Sequence, residues 1–206
     1  MGRPAFELLE SLLWTPEGGY YLLERHVARL LASAAYFGFD VAETAVRAAL
    51  DDAGKGLTGA SKVRLLVGEN GRFHSEAAPL TPLPEPARLG LAPEPVRSDD
   101  LFLYHKTTRR EVYDRAKAAC PDCDEVILWN ERDELTEATT ANIVLELDGV
   151  LWTPPVECGL LAGTLRGELV ENGRLQEKVL SKEDLARAEK VYLVNSVRGW
   201  RVGEML

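Results

Sequence analysis

Apolar residues in the first third of the chain recur at two spacings, which predict helices and strands. Over 24–37 they follow helical spacing, and Gly38 comes next, as a C-terminal cap would. The same spacing predicts a second helix over 41–53. The run 6–13 fits either a strand or a short helix, and 20–23 predicts a strand.

A glycine-rich turn and a proline-rich stretch organise the chain into lobes. The sequence Gly68-Glu69-Asn70-Gly71 is flanked by the segments 62–67 and 72–77 and predicts a hairpin. Six prolines fall between residues 79 and 95, so this stretch should be extended and stiff, although 88–92 could form a strand inside it. We therefore predict an α/β lobe over residues 1–84, a connector over 85–97 and a larger lobe over 98–206.

The larger lobe is predicted to contain both strands and helices. Helices are expected at 109–119 and 163–171, and Ser181 opens a pattern that is typical of a helix start. Strands are expected at 125–129, 136–147 and 191–194, and Asp148-Gly149 should turn the chain tightly into 150–152. The two predicted lobes together indicate the α/β (α+β) class.

Composition and charge argue against several classes of protein. The chain has 206 residues, a net charge of -9 and 46% hydrophobic residues, which is an ordinary globular balance. The acidic charge argues against nucleic-acid binding, which needs basic patches. No apolar run reaches membrane-spanning length, and no signal-peptide pattern opens the chain, so no membrane role is expected.

The three cysteines are too few for a secreted fold stapled by disulfides, so we predict a cytoplasmic location. Cys120 and Cys123 have C-x-x-C spacing, which could mark a redox pair or half of a zinc site. No second C-x-x-C accompanies them, so neither role is favoured. The three histidines lack metal-ligand spacing, and no metal is predicted.

Two segments carry residues with a specific chemical use. Lys106 follows the apolar run 101–104, and a lysine in partly apolar surroundings has a depressed pKa, which leaves some neutral amine able to attack an aldehyde. Glu137 lies on a strand-like segment, and a carboxylate that faces a pyridine nitrogen keeps that nitrogen protonated. Pyridoxal phosphate needs both groups, so the sequence predicts an enzyme that uses this cofactor.

A phosphate dianion needs a cradle of donors. The loop 159–166 contains two glycines and leads into a predicted helix, so the backbone N–H groups of Thr164 and Leu165 would be able to donate to a phosphate. Ser196 follows the strand at 191–194 and could add its hydroxyl. Arg29, on the first helix, could supply the positive charge.

Five short segments, taken in chain order, resemble the class IV aminotransferases. The segment 26–30 resembles their H-x-x-R-L helix, and His105-Lys106-Thr107-Thr108 resembles the lysine segment of the aminodeoxychorismate lyase-like members. The segment 136–142 resembles their T/S-E-x-x-x-x-N motif. Gly163-Thr164-Leu165-Arg166 resembles the phosphate loop, and Val194-Asn195-Ser196 resembles the last phosphate contact. The resemblance runs over 6–200, nearly the whole chain.

The resemblance implies a role for each matched residue. Lys106 would bond to the aldehyde of the cofactor and then move protons, and Glu137 would pair with the pyridine nitrogen. Tyr113 would reach the phenolic oxygen of the ring. The remaining implied cofactor contacts are Arg29, Asn142, Ser196 and the backbone of Thr164 and Leu165.

The resemblance also implies a fold and a reaction. Family members have two α/β lobes with the cofactor between them, the fold-type IV architecture of D-amino acid aminotransferases, usually as homodimers. The lyase-like members convert the small molecule 4-amino-4-deoxychorismate to 4-aminobenzoate and pyruvate. The short form resembles the lyase-like domain fused behind an aminodeoxychorismate synthase component, which makes that component an expected partner.

Two departures from the family pattern leave the substrate open. The chain begins close to the family-like segment 6–14, so the N-terminal strands of longer members, which wall the substrate side, are expected to be missing. Leu165 stands where many members have threonine, so only its N–H could bind phosphate.

Two alternatives to the lyase are kept. An aminotransferase acting on branched-chain or D-amino acids would need an arginine that clamps the substrate carboxylate, and the sequence indicates none. A non-catalytic domain that retains the fold would carry Lys106 as an ordinary surface lysine and Glu137 as an exposed strand residue. The five motifs in family order favour a functional cofactor site over this second alternative.

Overall fold

The computed structural model describes residues 6–206, which form two compact units. The first unit runs to Pro82 and also includes His105–Arg109. The second unit comprises Leu83–Tyr104 and Arg110–Leu206. Each unit contains both helices and strands, which confirms the predicted α/β class.

The first unit has two helices packed on an antiparallel sheet. The sheet has the strand order β2-β1-β3-β4. Its elements are β1 (Leu8–Thr15), β2 (Gly19–Tyr20), α1 (Leu23–Phe37), α2 (Glu43–Gly54), β3 (Ser61–Val67) and β4 (Phe73–Pro79).

The ambiguous run at 6–13 is a strand because alternate residues of β1 face the helices. Leu8 and Leu12 are fully buried on this face and pack with Val27 and Leu30 of α1. Glu10 lies between them in the alternation, so it faces the same side of β1, and it is also buried, at 2% exposure. The inward face of β1 therefore contains one carboxylate between two leucines.

The strand predicted over 20–23 is shorter than expected. Leu22 adopts a left-handed conformation with φ 53°, which turns the chain so that α1 begins at Leu23. At the other end of α1, Gly38 has φ 75° and its N–H caps the helix, as predicted.

The second unit is built on one large mixed sheet. Its strands follow the order β10-β9-β8-β11-β12-β5-β6-β7. Because β7 also pairs with β8, six of the strands close into a ring. The strands are β5 (Ala87–Leu91), β6 (Glu125–Trp129), β7 (Leu135–Ala138), β8 (Asn142–Leu147), β9 (Val150–Thr153), β10 (Gln176–Glu177), β11 (Lys190–Asn195) and β12 (Gly199–Met205). The helices are α3 (Glu111–Ala119), α4 (Thr164–Glu171) and α5 (Lys182–Arg187).

The predicted strand region over 136–147 is a hairpin rather than one strand. The turn at 139–141 separates β7 from β8. It is held by Glu125 of β6, whose carboxylate accepts hydrogen bonds from the hydroxyls of Thr139 and Thr140. This turn brings Glu137 directly opposite Asn142.

Two sequence-based boundaries differ from the structure. The proline-rich stretch contains β5, which pairs in parallel with β12 and β6, so much of the expected connector belongs to the second sheet. The segment His105–Arg109, which the boundaries placed in the larger lobe, belongs to the first unit. Its backbone pairs with β1: the Leu9 N–H donates to the Lys106 carbonyl at 2.9 Å.

Buried, mostly aliphatic side chains form one cluster in the first unit and two in the second. The second unit buries Leu89, Ile127, Ile143, Leu145 and Leu193 around its sheet.

Over residues 6–206, no helix combines the length and apolar character needed to cross a membrane.

Candidate active site

Lys106 is fixed through its backbone to the edge of β1. The Thr108 N–H donates to the Glu7 carbonyl at 2.9 Å, and the Glu7 N–H donates to the Thr108 hydroxyl at 3.0 Å. Leu8 and Thr107 form an antiparallel bridge between these contacts. The lysine therefore lies on a short, strand-like segment rather than on a free loop.

His105, the residue before Lys106, is held by side chains of α1. The Nδ1 atom of His105 lies 3.0 Å from the Ser33 hydroxyl. The imidazole ring packs against Tyr36 and Phe37, with ring centroids 4.4 and 4.8 Å away. Burial lowers the pKa of His105, which favours the neutral ring next to Lys106.

Arg29 lies on α1 and is held by a buried carboxylate. Glu10 accepts hydrogen bonds from Arg29 Nε at 2.8 Å and from Arg29 Nη2 at 2.7 Å. The second carboxylate oxygen of Glu10 lies 2.6 Å from His26 Nδ1. His26 and Arg29 are three residues apart, so both reach Glu10 from one face of the helix.

Glu10 should make folding stability depend on acid pH. Burial alone would raise the pKa of Glu10, but the Arg29 charge and hydrogen bonds from His26 and Arg29 lower it from 4.5 to about 2. A lowered folded-state pKa stabilises the fold above pH 4.5, and this stabilisation, about 3 kcal/mol, is lost as pH falls towards 2. Urea unfolding between pH 6 and pH 3 should show a shallower pH dependence in Glu10→Gln than in the wild type. Parallel curves for the two proteins would contradict this prediction.

Glu137 is a buried acid with three neutral hydrogen-bond donors around it. One carboxylate oxygen accepts from the Tyr113 hydroxyl at 2.7 Å and from the Leu161 N–H at 3.2 Å. The other accepts from Asn142 Nδ2 at 3.4 Å. Glu137 is 5% exposed, unlike the ordinary exposed strand residue of the non-catalytic alternative.

Tyr113 contacts the acid in this structure. Burial and the Glu137 carboxylate raise the pKa of Tyr113 well above its ordinary value, so its hydroxyl is protonated and donates. The Arg110 guanidinium stacks on the Tyr113 ring at 4.5 Å and donates to the Thr139 carbonyl. Tyr113 thus supports Glu137, and its contact with a phenolic oxygen of the cofactor stays a prediction.

Asn142 links the acid to the predicted phosphate loop. Besides Glu137, its Nδ2 donates to the Leu161 carbonyl at 2.9 Å. Its Oδ1 occupies the space beside Gly163, where an added Cβ would lie 1.9 Å away. The acid on β7 and the loop that leads into α4 therefore belong to one hydrogen-bonded group of the second unit.

The start of α4 has the features of an anion cradle. Gly163 is extended, and as the N-cap residue of α4 it provides no side-chain cap. Thr164, Leu165 and Ser196 are all buried, and α4 packs against β11, which Ser196 directly follows. Arg166, the last residue of the motif, points elsewhere: its Nη2 donates to the Pro154 carbonyl and to Glu177.

Gly163 should not tolerate a side chain. In Gly163→Ala, the new Cβ would overlap Asn142, which must then release Glu137 or Leu161. We expect a loss of about 1–3 kcal/mol in the free energy of unfolding and weaker pyridoxal phosphate binding. Urea unfolding and cofactor titration measure both. Gly59→Ala is the matched control, because no atom lies within 4 Å of its added Cβ; equal effects of the two substitutions would contradict the prediction.

Local features of each unit fit pyridoxal phosphate. The second unit offers a buried acid for the ring nitrogen and, after Gly163, the N-terminus of α4 for phosphate. The first unit offers a lysine on a fixed segment and a partly buried arginine paired with a buried glutamate. The fold and these residues fit a pyridoxal phosphate-dependent enzyme of fold type IV.

Comparison with known proteins gives the family. The sequence profile of the family "Amino-transferase class IV" matches residues 7–203. The chain belongs to this family, whose members use pyridoxal phosphate.

Three relatives span most of the chain. A Schizosaccharomyces pombe protein named "Putative aminodeoxychorismate lyase" is 31% identical, over 93% of this chain and 86% of its own length. A Mesorhizobium loti crystal structure named as a "Putative amino-acid aminotransferase" is 38% identical, with a TM-score of 0.92 over 98% of this chain and 100% of its own. The 4-amino-4-deoxychorismate lyase of Pseudomonas aeruginosa is 26% identical, with a TM-score of 0.84 over 97% of this chain and 83% of its own.

The sequence did not indicate which residues support others in the site. Glu10, Asn142 in its role beside Gly163, and the Leu161 N–H all act through partners far away in the chain. For Glu10 a signal existed, since a carboxylate alternates with leucines on a strand and two basic residues face it from the next helix.

Cys120 and Cys123 form a disulfide, and the described residues 6–206 contain no cluster of metal-ligating side chains.

Proposed function

We propose that this protein is a lyase that converts 4-amino-4-deoxychorismate to 4-aminobenzoate and pyruvate. The observation that carries a cofactor-dependent function is the buried Glu137, held by Tyr113, Leu161 and Asn142 beside the start of α4. The choice of a lyase is supported by the names of the S. pombe and P. aeruginosa relatives.

The proposed roles follow the chemistry of the side chains. Arg29, the Ser196 hydroxyl and the N–H groups of Thr164 and Leu165 would hold the phosphate. When bound, pyridoxal phosphate supplies an aldehyde that bonds to amines and a ring that withdraws electrons from the attached carbon. Glu137 would keep the ring nitrogen protonated, and Asn142 and Tyr113 would hold Glu137 in place.

Lys106 would carry the proton transfers. Its amine would accept the proton from the ring carbon that bears the substrate nitrogen, which leaves an electron pair on that carbon. That pair would form the new double bond that makes the carbocycle aromatic. The adjacent ring carbon would lose its bond to the enolpyruvyl oxygen, and the electrons of the broken bond would leave on that oxygen. Lys106 would return a proton to the departing group, which is released as pyruvate.

The assay for the lyase is direct. Purified protein is mixed with pyridoxal phosphate and 4-amino-4-deoxychorismate, and 4-aminobenzoate is detected by its fluorescence and pyruvate with lactate dehydrogenase. The two products should appear in equal amounts. No product from protein with bound cofactor would reject the lyase.

The second candidate function is an aminotransferase, because the M. loti relative is named as one. In that case an amino acid alone should convert the absorbance of the bound cofactor to that of its amine form. The lyase predicts little such conversion with branched-chain or D-amino acids.

We also propose a homodimer, which light scattering would show as twice the chain mass of 22.7 kDa.

A further inference from the structure

Glu10 is a buried carboxylate to which no motif assigns a role. It lies on the inward face of β1 between Leu8 and Leu12, which are both fully buried. Its oxygens contact Arg29 at 2.7 and 2.8 Å and His26 at 2.6 Å. Other ion pairs of the first unit differ from this one: in the Glu24–Arg47 pair, the side chains are 76% and 35% exposed.

Stability alone is a poor explanation for this arrangement. Removing an ionic group from water is costly, and an apolar side chain of similar volume is often neutral or stabilising at such a position. Leu8 and Leu12 show that the surrounding face accepts aliphatic residues. A carboxylate here needs a reason beyond the stability of the first unit.

The geometry of the contact suggests that reason. Glu10 binds Arg29 through Nε and Nη2, which together form one edge of the planar guanidinium. Two parallel bonds to one carboxylate fix the plane of the guanidinium as well as its position. His26 fixes the carboxylate in turn, and the burial of Glu10 on β1 and of His26 on α1 leaves these two groups little freedom.

We propose that Glu10 is a positioning residue that orients Arg29 for the phosphate of pyridoxal phosphate, with His26 locking the carboxylate. The inference rests on the proposed contact of Arg29 with that phosphate. Because the Glu10–Arg29 pair is formally neutral, the benefit to binding is preorganisation of the guanidinium rather than added charge. The effect of Glu10 must therefore be specific to the phosphate and must act through Arg29.

Titration with the cofactor and with its phosphate-free form tests both requirements. The full chain, freed of cofactor with hydroxylamine, is titrated with pyridoxal phosphate and with pyridoxal. Glu10→Gln should weaken pyridoxal phosphate binding about 10- to 100-fold and leave pyridoxal binding unchanged. In an Arg29→Gln background, Glu10→Gln should cause no further loss. Glu24→Gln, which breaks an exposed ion pair of the same helix, is the control and should leave both affinities unchanged.

Three results would overturn the inference. They are an equal loss for both ligands, no loss for either, or full additivity of Glu10→Gln and Arg29→Gln. If Glu10→Gln does not fold, His26→Gln keeps the carboxylate and removes one of its partners. That variant should bind pyridoxal phosphate more weakly than the wild type, by a smaller factor than Glu10→Gln, and should bind pyridoxal as the wild type does. If its affinities for both ligands equal those of the wild type, the inference is overturned. Because the titrations contain no substrate, their outcome is independent of whether the reaction is that of a lyase.

Discussion

Lys106→Ala should abolish the covalent bond between protein and cofactor and lower the rate of product formation by a factor on the order of 10⁴ or more. Alanine has no amine to bond to the aldehyde or to carry protons. Borohydride reduction of the wild type should add the mass of the cofactor to the peptide that contains Lys106, and the variant peptide should remain unmodified. Mass spectrometry of the digest and the 4-aminobenzoate assay measure the two effects.

The fold should survive this substitution. The Lys106 segment is held by backbone bonds to Glu7 and Leu9 and by the side chain of Thr108, none of which needs the lysine side chain. Lys55→Ala, which removes a lysine at 76% exposure, is the control for loss of a cation and should keep activity. Reduction that labels another lysine, or activity retained in Lys106→Ala, would contradict the proposed role.

Helices and hairpins with local signals were predictable from the sequence. The periodicity over 24–37 and the cap at Gly38 lie within one element, and α1 forms there. The turn at 68–71 likewise joins β3 to β4. Such signals depend on neighbouring residues, so one sequence suffices to find them.

Pairings between distant segments were not predictable in the same way. β5 lies in a proline-rich stretch whose partners are β6 and β12, and β12 itself was not predicted. The Lys106 segment joins β1, about a hundred residues earlier in the chain, through backbone bonds that carry no sequence signature. At such positions the β-propensity of the residues is compatible with either a strand or a loop, and contacts with distant parts of the chain determine which one forms.

The residue types of the site were predictable, but their partners were not. The motif at 136–142 marks Glu137 and Asn142, yet only the β7–β8 turn shows that they face each other across a strand pair. Tyr113 was expected to contact the cofactor, and the fold places it on the carboxylate of Glu137. A motif reports which side chains are needed, whereas hydrogen-bond geometry depends on the packing of several elements.

Glu137→Gln should lower the rate of product formation about 100- to 1,000-fold while the cofactor still binds. Glutamine has the size of glutamate and can still accept from the Tyr113 hydroxyl and the Leu161 N–H. It has no negative charge to keep a proton on the pyridine nitrogen, so the ring becomes a weaker electron sink. The NH2 group of the new glutamine would also face the NH2 group of Asn142, so two donors would meet where the wild type has a hydrogen bond.

The control for Glu137→Gln lies on the neighbouring strand. Glu146 of β8 accepts a hydrogen bond from the Tyr192 hydroxyl at 3.0 Å, so it repeats the tyrosine–carboxylate contact away from the motif residues. Glu146→Gln should keep both the rate and the absorbance spectrum of the bound cofactor. Glu137→Gln should change that spectrum, because ring-nitrogen protonation alters the absorbance. If the two variants behave alike, Glu137 does not contact the ring, and its burial with Tyr113 and Asn142 only stabilises the second unit.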